Sequence, residues 1–323
     1  MESINTLSRR SPLDVLIAKE IAAHIRSWRA IVLLFLIALT FFTSVYIAIQ
    51  NLPSISSSGD PAANFIYLKL LTHTSNGMPP FHVFLNFLAP LLGIALGFDA
   101  INAEKNQGTL TRIMAQPIYR DNLLIGKFLA PLLIVAVLFV ALTLLMLGTG
   151  ILITGASIEP QEILRLMTFI LISILYVGFW LSLSILLSTA FNQASTAAIT
   201  AFGIWLFFTV FFPIVVQVGM QSLLPDPQTL NPGQLVEYNN LILNILRISP
   251  SQLYTDAAST LLMPSVRSLG PITMEQIRGA LPSNLRFSDS LLMVWPQISG
   301  LVALTCVCFA WCYYLFMHRE IRS

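Results

Sequence analysis

The side chains in this sequence that could bind a metal fall into two small sets. Cys308 and Cys312 lie one helical turn apart, and His73, Met78 and His82 lie near one another along the chain. Thiolates bind soft metals, and imidazole together with a thioether can hold copper. The two cysteines, however, fall inside a long apolar run, where helix packing or lipid contact explains them. We therefore expect no metal centre there, and the histidine set stays an open alternative to an ordinary loop.

Gly126 and Lys127 form a dipeptide that could belong to a phosphate-binding loop. Such a loop requires G-x-x-x-x-G-K-[ST], but Asp121 stands where the first glycine would be and Phe128 follows the lysine. The sequence also contains no His-x-x-x-His zinc pattern and no Gly-x-Ser-x-Gly elbow. We predict that the chain is not an enzyme by itself, has no catalytic residues and holds no cofactor.

The stretch EKNQGTLTRIMAQPIYRDNLLIGK, residues 104–127, places polar and charged side chains between two long apolar runs. Its apolar residues Leu110, Ile113 and Met114 recur at helical spacing, which predicts a short amphipathic helix. Pro117 ends that helix, and a second helix is expected to begin near Asp121. A short helix across the ends of two longer ones can transmit movement as a lever. The alternative is a connecting loop with solvated charges.

The amino-acid composition indicates whether the long helices lie in water or in a membrane. Of 323 residues, 56% are apolar and 10% are charged, and the mean hydropathy is +0.78. A soluble protein is about one quarter charged. The chain is therefore predicted to be a membrane protein, and its net charge of +2 gives no reason to expect nucleic acid as a partner.

Uncharged runs predict six membrane-spanning helices and an all-α fold. The spans are expected at about residues 30–50, 81–100, 129–153, 166–187, 197–219 and 291–317. The first is too long for a signal peptide and lacks a cleavage pattern. Pro213 predicts an irregularity in span 5, whose freed carbonyls need new partners.

The distribution of basic residues predicts the orientation. Most of the 17 Lys and Arg residues fall on one side if both chain ends and the loop between spans 2 and 3 share that side. The positive-inside rule assigns it to the cytoplasm. We predict a multi-pass protein of the cytoplasmic membrane with both termini inside.

Residues 1–29 are expected to form an amphipathic helix along the inner leaflet, with lipid as its partner. Ser11 is a suitable N-cap, with Pro12 at the first helical position and Asp14 completing a capping box. An apolar stripe of Leu13, Ile17, Ile21, Ile25 and Trp28 lies opposite Lys19 and Arg26. An ordinary packed helix is the alternative.

Residues 220–290 carry many prolines, which exclude one long helix. Short helices are predicted at 234–247, from Ser249 and Pro250, and from Thr273 with Gln276 in a capping box. About seventy residues of modest apolar content bury little surface. We expect a small external cap here.

The polar segment resembles the EK..GTL......P..R.....GK signature of permeases of ABC transporters of the type-2 exporter class. The residues that carry the resemblance or its implied role are Glu104, Lys105, Gly108, Thr109, Leu110, Arg112, Ile113, Pro117, Arg120, Gly126 and Lys127. The resemblance implies that residues 102–122 form a coupling helix docked on a separate ATPase subunit, which binds ATP and magnesium. It implies too that a second permease copy completes the transporter, most simply as a homodimer.

Within that resemblance, individual residues acquire expected roles. Glu104 and the Gly108–Thr109 pair would shape the docking element, and Arg112 and Arg120 would contact the ATPase. Gly126 and Lys127 would set the entry of span 3, with Lys127 reaching out to the lipid headgroups.

The resemblance favours export of an unidentified substrate driven by a partner's ATP hydrolysis. The alternative is a membrane anchor or assembly factor that transmits ATPase-driven force to an external protein. A stand-alone channel or proton-driven carrier would need polar residues deep in the spans, and these are scarce in the sequence.

Overall fold

The computed structural model describes residues 11–51, 65–72, 79–109, 119–223, 231–264 and 285–318, and these residues form helices and short connections without a strand. The helices are α1 (Pro12–Ile25), α2 (Trp28–Gln50), α3 (Ile66–Thr72), α4 (Phe81–Gly97), α5 (Asn102–Asn106), α6 (Arg120–Thr154), α7 (Pro160–Ala190), α8 (Ala194–Leu206), α9 (Phe212–Leu223), α10 (Pro232–Leu246), α11 (Pro250–Leu262) and α12 (Phe287–His318). A five-residue π-helix, Phe207–Phe211, joins α8 to α9.

Six of these elements are long and apolar enough to cross a membrane, which confirms the predicted all-α, six-span fold. Spans 1, 3, 4 and 6 are α2, α6, α7 and α12. Span 2, Phe81–Asn106, comprises α4, the following turn and α5, and span 5 is α8, the π-helix and α9 together. Several helices run past the predicted limits. Span 3 begins at Arg120 and span 4 at Pro160, because a helix continues into the polar layers while charge counting stops at the apolar run.

The core is built around α7, which packs against α4, α11 and α12. Its contact with α4 is unusually close at two glycines. A Cβ added at Gly93 would lie 2.8 Å from both the Trp180 Cβ and the Val177 carbonyl oxygen, and one at Gly97 would lie 3.0 Å from the Leu181 carbonyl. The missing side chains let two backbones touch, as in small-residue contacts of membrane helices.

Span 5 is irregular where Pro213 was expected to disturb it. Phe212 donates its N–H to the Phe207 carbonyl in the π pattern. The next bond of that pattern would run from residue 213 to the Phe208 carbonyl, but proline has no N–H. The Ser249 hydroxyl donates to this carbonyl instead, at 3.2 Å. A neighbouring element thus replaces the missing donor.

The helices α10 and α11 follow each other directly through a tight turn at Arg247–Ser249, and we call the two together, Pro232–Leu262, the outer hairpin. Their sequence positions agree with the predicted short helices, and their contacts with the spans show how they pack. Ser249, at the hairpin tip, contacts the middle of span 5, and Ser251 donates to the Asn86 side chain at 2.9 Å. Near the other end of α11, Arg165 of α7 donates to the Leu261 carbonyl at 3.0 Å. The hairpin therefore packs beside the halves of the spans that lie away from α5.

The predicted helix that begins at Thr273 lies outside the described residues. The sequence of α11 does not reveal how deeply it packs, because this helix has few long apolar side chains. It is nevertheless almost wholly buried, and Tyr254 stacks on Tyr176 with ring centroids 4.5 Å apart. Aromatic stacking and small residues allow a polar-looking helix to pack inside a bundle.

Candidate functional site

Four charged side chains from three helices meet where α1, α5 and the start of α6 converge. Lys127 Nζ lies 2.9 Å from Glu104 Oε1 and 3.5 Å from Glu20 Oε1. Lys19 Nζ lies 3.4 Å from the same oxygen of Glu104 and 3.3 Å from Glu20 Oε1. We call these four residues the ion-pair cluster.

The cluster is electrically balanced and mostly shielded from solvent. Side-chain exposure is 5% for Lys127, 10% for Glu20 and 12% for Glu104, whereas Lys19 is 51% exposed. Burial lowers the pKa of Lys19, but the charges of Glu104 and Glu20 outweigh it, so the pKa ends above its ordinary value. Lys19 therefore stays charged at neutral pH. Ionic contacts are stronger in such an environment than at a surface, and losing one partner is correspondingly costly.

The short helix α5 is held from a second side by span 4 and the residues that follow it. Ser188 of α7 accepts the backbone N–H groups of Ile101 and Asn102 through its hydroxyl oxygen, at 3.1 and 3.2 Å. Lys105 donates to the Asn192 side-chain oxygen at 3.0 Å, just beyond the end of α7. The two bonds to Ser188 satisfy backbone donors at the start of α5 that the helix cannot satisfy itself.

A polar cleft of about 330 Å³ opens beside the cluster between α1, α4 and α5. On its wall, Arg29 Nη2 lies 2.6 Å from Asp99 Oδ2, and the guanidinium sits 4.8 Å from the centroid of the Phe98 ring. His24 also lines the cleft, and burial lowers its pKa below the ordinary value, so it is neutral at neutral pH. The cleft therefore contains matched charges.

A turn that includes Gly108 directly follows α5. Gly108 has φ of +67°, in the left-handed region, and nothing lies within 4 Å of where its Cβ would be. Glycine is thus required here for backbone conformation and not for space. The Thr109 hydroxyl donates to the Glu104 carbonyl at 3.2 Å and closes the turn.

The role expected of Lys127 at the membrane surface is wrong. It was predicted to reach the lipid headgroups, but its side chain points into the protein and pairs with Glu104. Arg120 is exposed at the first turn of α6. At Gly126, an added Cβ would lie 3.5 Å from the Leu16 Cβ, so α1 crosses α6 at this position. Leu110, Arg112, Ile113 and Pro117 lie outside the described residues.

The capping box predicted for α1 is confirmed, since Ser11 and Asp14 exchange side-chain to backbone hydrogen bonds of 3.2 Å. Its apolar stripe divides into two parts: Leu13, Ile17 and Ile21 are half buried, whereas Ile25 and Trp28 are exposed. Lys19 and Arg26, on the opposite side of the helix, are also exposed. The face turned to the protein is centred on Leu16 and Glu20, which pack towards α6.

Sequence reasoning missed Glu20 and Ser188 as members of this site. Glu20 follows Leu16 by one helical turn on the inner face of α1, and an acid in an apolar stripe is a signal for a buried partner. Ser188 carried no such signal, because a serine at a helix end is common in sequence. Only the arrival of α5 beside it gives it a role.

The residues considered for metal binding do not form a centre among the described residues, where no group of three His, Cys, Asp or Glu side chains is close enough to hold an ion. His82 is buried, and His73 and Met78 lie outside those residues. Cys312 is buried within 3.5 Å of the Thr189 hydroxyl, and Cys308 is partly buried.

The six apolar helices define a multi-pass integral membrane protein. At one end of span 3, the ion-pair cluster connects α1 and α5 to α6. Residues 15–321 match the family described as ABC-2 family transporter protein, and the chain belongs to that family.

Two relatives are each named as a probable ABC transporter permease protein NosY. The chain is 35% identical over 167 residues to the one from Pseudomonas aeruginosa and 30% identical over 167 residues to the one from Stutzerimonas stutzeri. Each alignment covers 48% of this chain and 59% of the relative, so the chain spans about three fifths of the length of these relatives.

Proposed function

We propose that this chain is the membrane subunit of an ATP-driven exporter and that the ion-pair cluster transmits the movement of a separate ATPase into the spans. The observation that carries the proposal is that Glu104 and Lys127, both within the segment that resembles a coupling helix, are buried against each other and against α1. ATP and magnesium would bind to the partner, since the chain has no phosphate-binding loop.

The contacts support transmission through Glu104 and docking through its neighbours. The Glu104 side chain faces inward, whereas Gly108 and Lys105 are exposed on the same segment. A partner pressing on the exposed residues would displace α5 as a unit. Because Glu104 contacts both Lys19 and Lys127, α1 and span 3 would follow, and Ser188 would carry the displacement to span 4.

A second chain, most simply another copy, completes the proposed transporter. Closure of two ATPases around ATP would bring the two α5 helices together and change how the spans pack. The alternative is force transmission to an external protein, which would use residues 220–290 as its working surface. The outer hairpin lies beside the spans and contacts them directly. The described part of this region therefore favours cargo transport over force transmission to an external protein.

Two variants separate docking from transmission. The tagged chain, purified from its host membranes, is expected to carry an ATP-hydrolysing subunit. Gly108→Trp places a large side chain on the exposed turn and should abolish co-purification. Glu104→Gln removes the inward charge and should leave co-purification intact, while the response of ATP hydrolysis to reconstitution in lipid falls about tenfold or more, as expected for loss of a buried ionic contact.

Asp289→Asn is the matched control. Asp289 is an exposed acid in the first turn of α12, at the opposite end of the chain's spans from the cluster. Its substitution should change neither measurement. If Glu104→Gln behaves like Asp289→Asn, the cluster does not transmit force, and if no ATPase accompanies the unmodified chain, the exporter assignment itself fails.

A further inference from the structure

The outer hairpin reaches about half-way along span 5. Ser249, between α10 and α11, contacts the Phe208 carbonyl, and Phe208 lies near the middle of the span from Ala194 to Leu223. The helix α10 has 15 residues, or about 22 Å at 1.5 Å per residue, and it packs along α9. It therefore runs antiparallel to the outer half of span 5.

One face of α10 carries four polar residues, with the exposed apolar residues Leu241 and Ile248 along its edge. Glu237, Asn240, Asn244 and Arg247 follow one another at intervals of three, four and three residues, which places them on a single helical face. The first three are exposed. The apolar residues Ile242, Leu243, Ile245 and Leu246 are half buried on the other side.

The deep end of this face contains a built ionic network. Arg247 Nε donates to Asp256 Oδ2 at 3.0 Å, and its Nη1 donates to the Asn244 side-chain oxygen at 3.0 Å. Gln252 donates to the other oxygen of Asp256 at 2.6 Å. The Arg247 side chain is 26% exposed, so part of this network faces away from the protein.

Hydrocarbon is a poor environment for such a face. A charged side chain near the centre of a bilayer loses its hydration, and intramembrane polar residues accordingly face the bundle interior or water. The exposed side chains of α9 at comparable depth provide a contrast. Ile214, Val215 and Val218 are apolar, as expected for a surface in lipid or against protein.

We propose that the polar face of α10 lines a water-filled vestibule that opens on the outer side and reaches to the hairpin tip. Resting on the proposed export function, the structure assigns this vestibule to a hydrophilic cargo, since the amide groups and both signs of charge along it provide hydrogen-bond partners. A lipid-like cargo would have to bury acyl chains against Glu237 and Asn244, where their contacts are unfavourable.

Thiol reactivity tests the proposal directly. Antiparallel helices with equal rise place Asn240 about level with Val218 and Asn244 about level with Ile214, counting from the Ser249–Phe208 contact. Each of the four is replaced by cysteine, one at a time, in a chain whose native cysteines are changed to alanine. The chain is studied in lipid nanodiscs, where reagent reaches both faces.

Asn240→Cys and Asn244→Cys should react with a charged methanethiosulfonate reagent at least about tenfold faster than Val218→Cys and Ile214→Cys, because the reactive thiolate forms only in water. A lipid-soluble maleimide should show a smaller or reversed preference. Equal thermal unfolding of the four variants would show that the comparison is between folded proteins.

Two results would overturn the vestibule. Reaction of Asn240→Cys and Asn244→Cys with the maleimide alone would place the face in lipid, and reaction with neither reagent would place it against protein. Neither result depends on an ATPase, so the outcome is independent of the Glu104→Gln experiment. If the cysteine variants show that the α10 face is hydrated while Glu104→Gln leaves ATP hydrolysis unchanged, the vestibule stands and the proposed export function does not.

Discussion

Replacing Lys127 by methionine should destabilise the protein more than any other single change in the ion-pair cluster. The variant keeps the length of the side chain but removes the cation that lies between Glu104 and Glu20. Breaking a buried ion pair costs about 3–5 kcal/mol, since the remaining charge has lost its partner. Lys19 still contacts both acids, so we expect the lower end, about 3 kcal/mol.

The assay is thermal unfolding of the purified chain in nanodiscs. In a protein of this size about 3 kcal/mol corresponds to a fall in Tm of about 4 °C. Lys19→Met is the control. Its side chain is half exposed, and exposed ion pairs contribute about 0–1 kcal/mol, so its Tm should fall by no more than about 2 °C.

A double variant decides whether charge is the cause. Lys127→Met combined with Glu104→Met leaves Lys19 and Glu20 as one balanced pair. Replacement of a buried ion pair by apolar side chains is often neutral or stabilising, so the double variant should recover at least about half of the lost Tm. If the fall in Tm of the double variant equals the sum of the falls for Lys127→Met and Glu104→Met alone, Lys127 acts through packing, and the electrostatic explanation is refuted.

Three further predictions concern packing and hydrogen bonding. Gly93→Ala should lower stability by about 1–3 kcal/mol through overpacking, whereas Gly203→Ala, where nothing lies within 4 Å, should not; unchanged unfolding of the first would contradict the close contact. Arg165→Met should cost about 2–4 kcal/mol, because its guanidinium also donates to the Leu285 carbonyl and the Ser290 hydroxyl, and proteolysis should then release the outer hairpin earlier. Ser249→Ala should cost about 0.6–1.5 kcal/mol in the native chain and much less beside Pro213→Ala, which restores a backbone donor; equal costs in both backgrounds would show that the Phe208 carbonyl needs no external partner.

Local patterns predicted the elements of this protein well. Uncharged runs located six spans, and the capping box at Ser11 located the start of α1, because each depends on residues that are neighbours along the chain. Proline predicted the disturbance in span 5 for the same reason, since a missing N–H is a property of one residue.

The tertiary structure decided which partners the polar side chains contact. Lys127 has a flexible stem that could reach either lipid headgroups or protein, and only the approach of α1 and α5 places two carboxylates within its range. The outer hairpin likewise reads as a cap in sequence, because its depth depends on partners supplied by spans 2, 4 and 5. The chain by itself therefore determined its spans and helix starts, whereas the cluster and the hairpin depth follow from contacts between residues far apart in sequence, which no local pattern records.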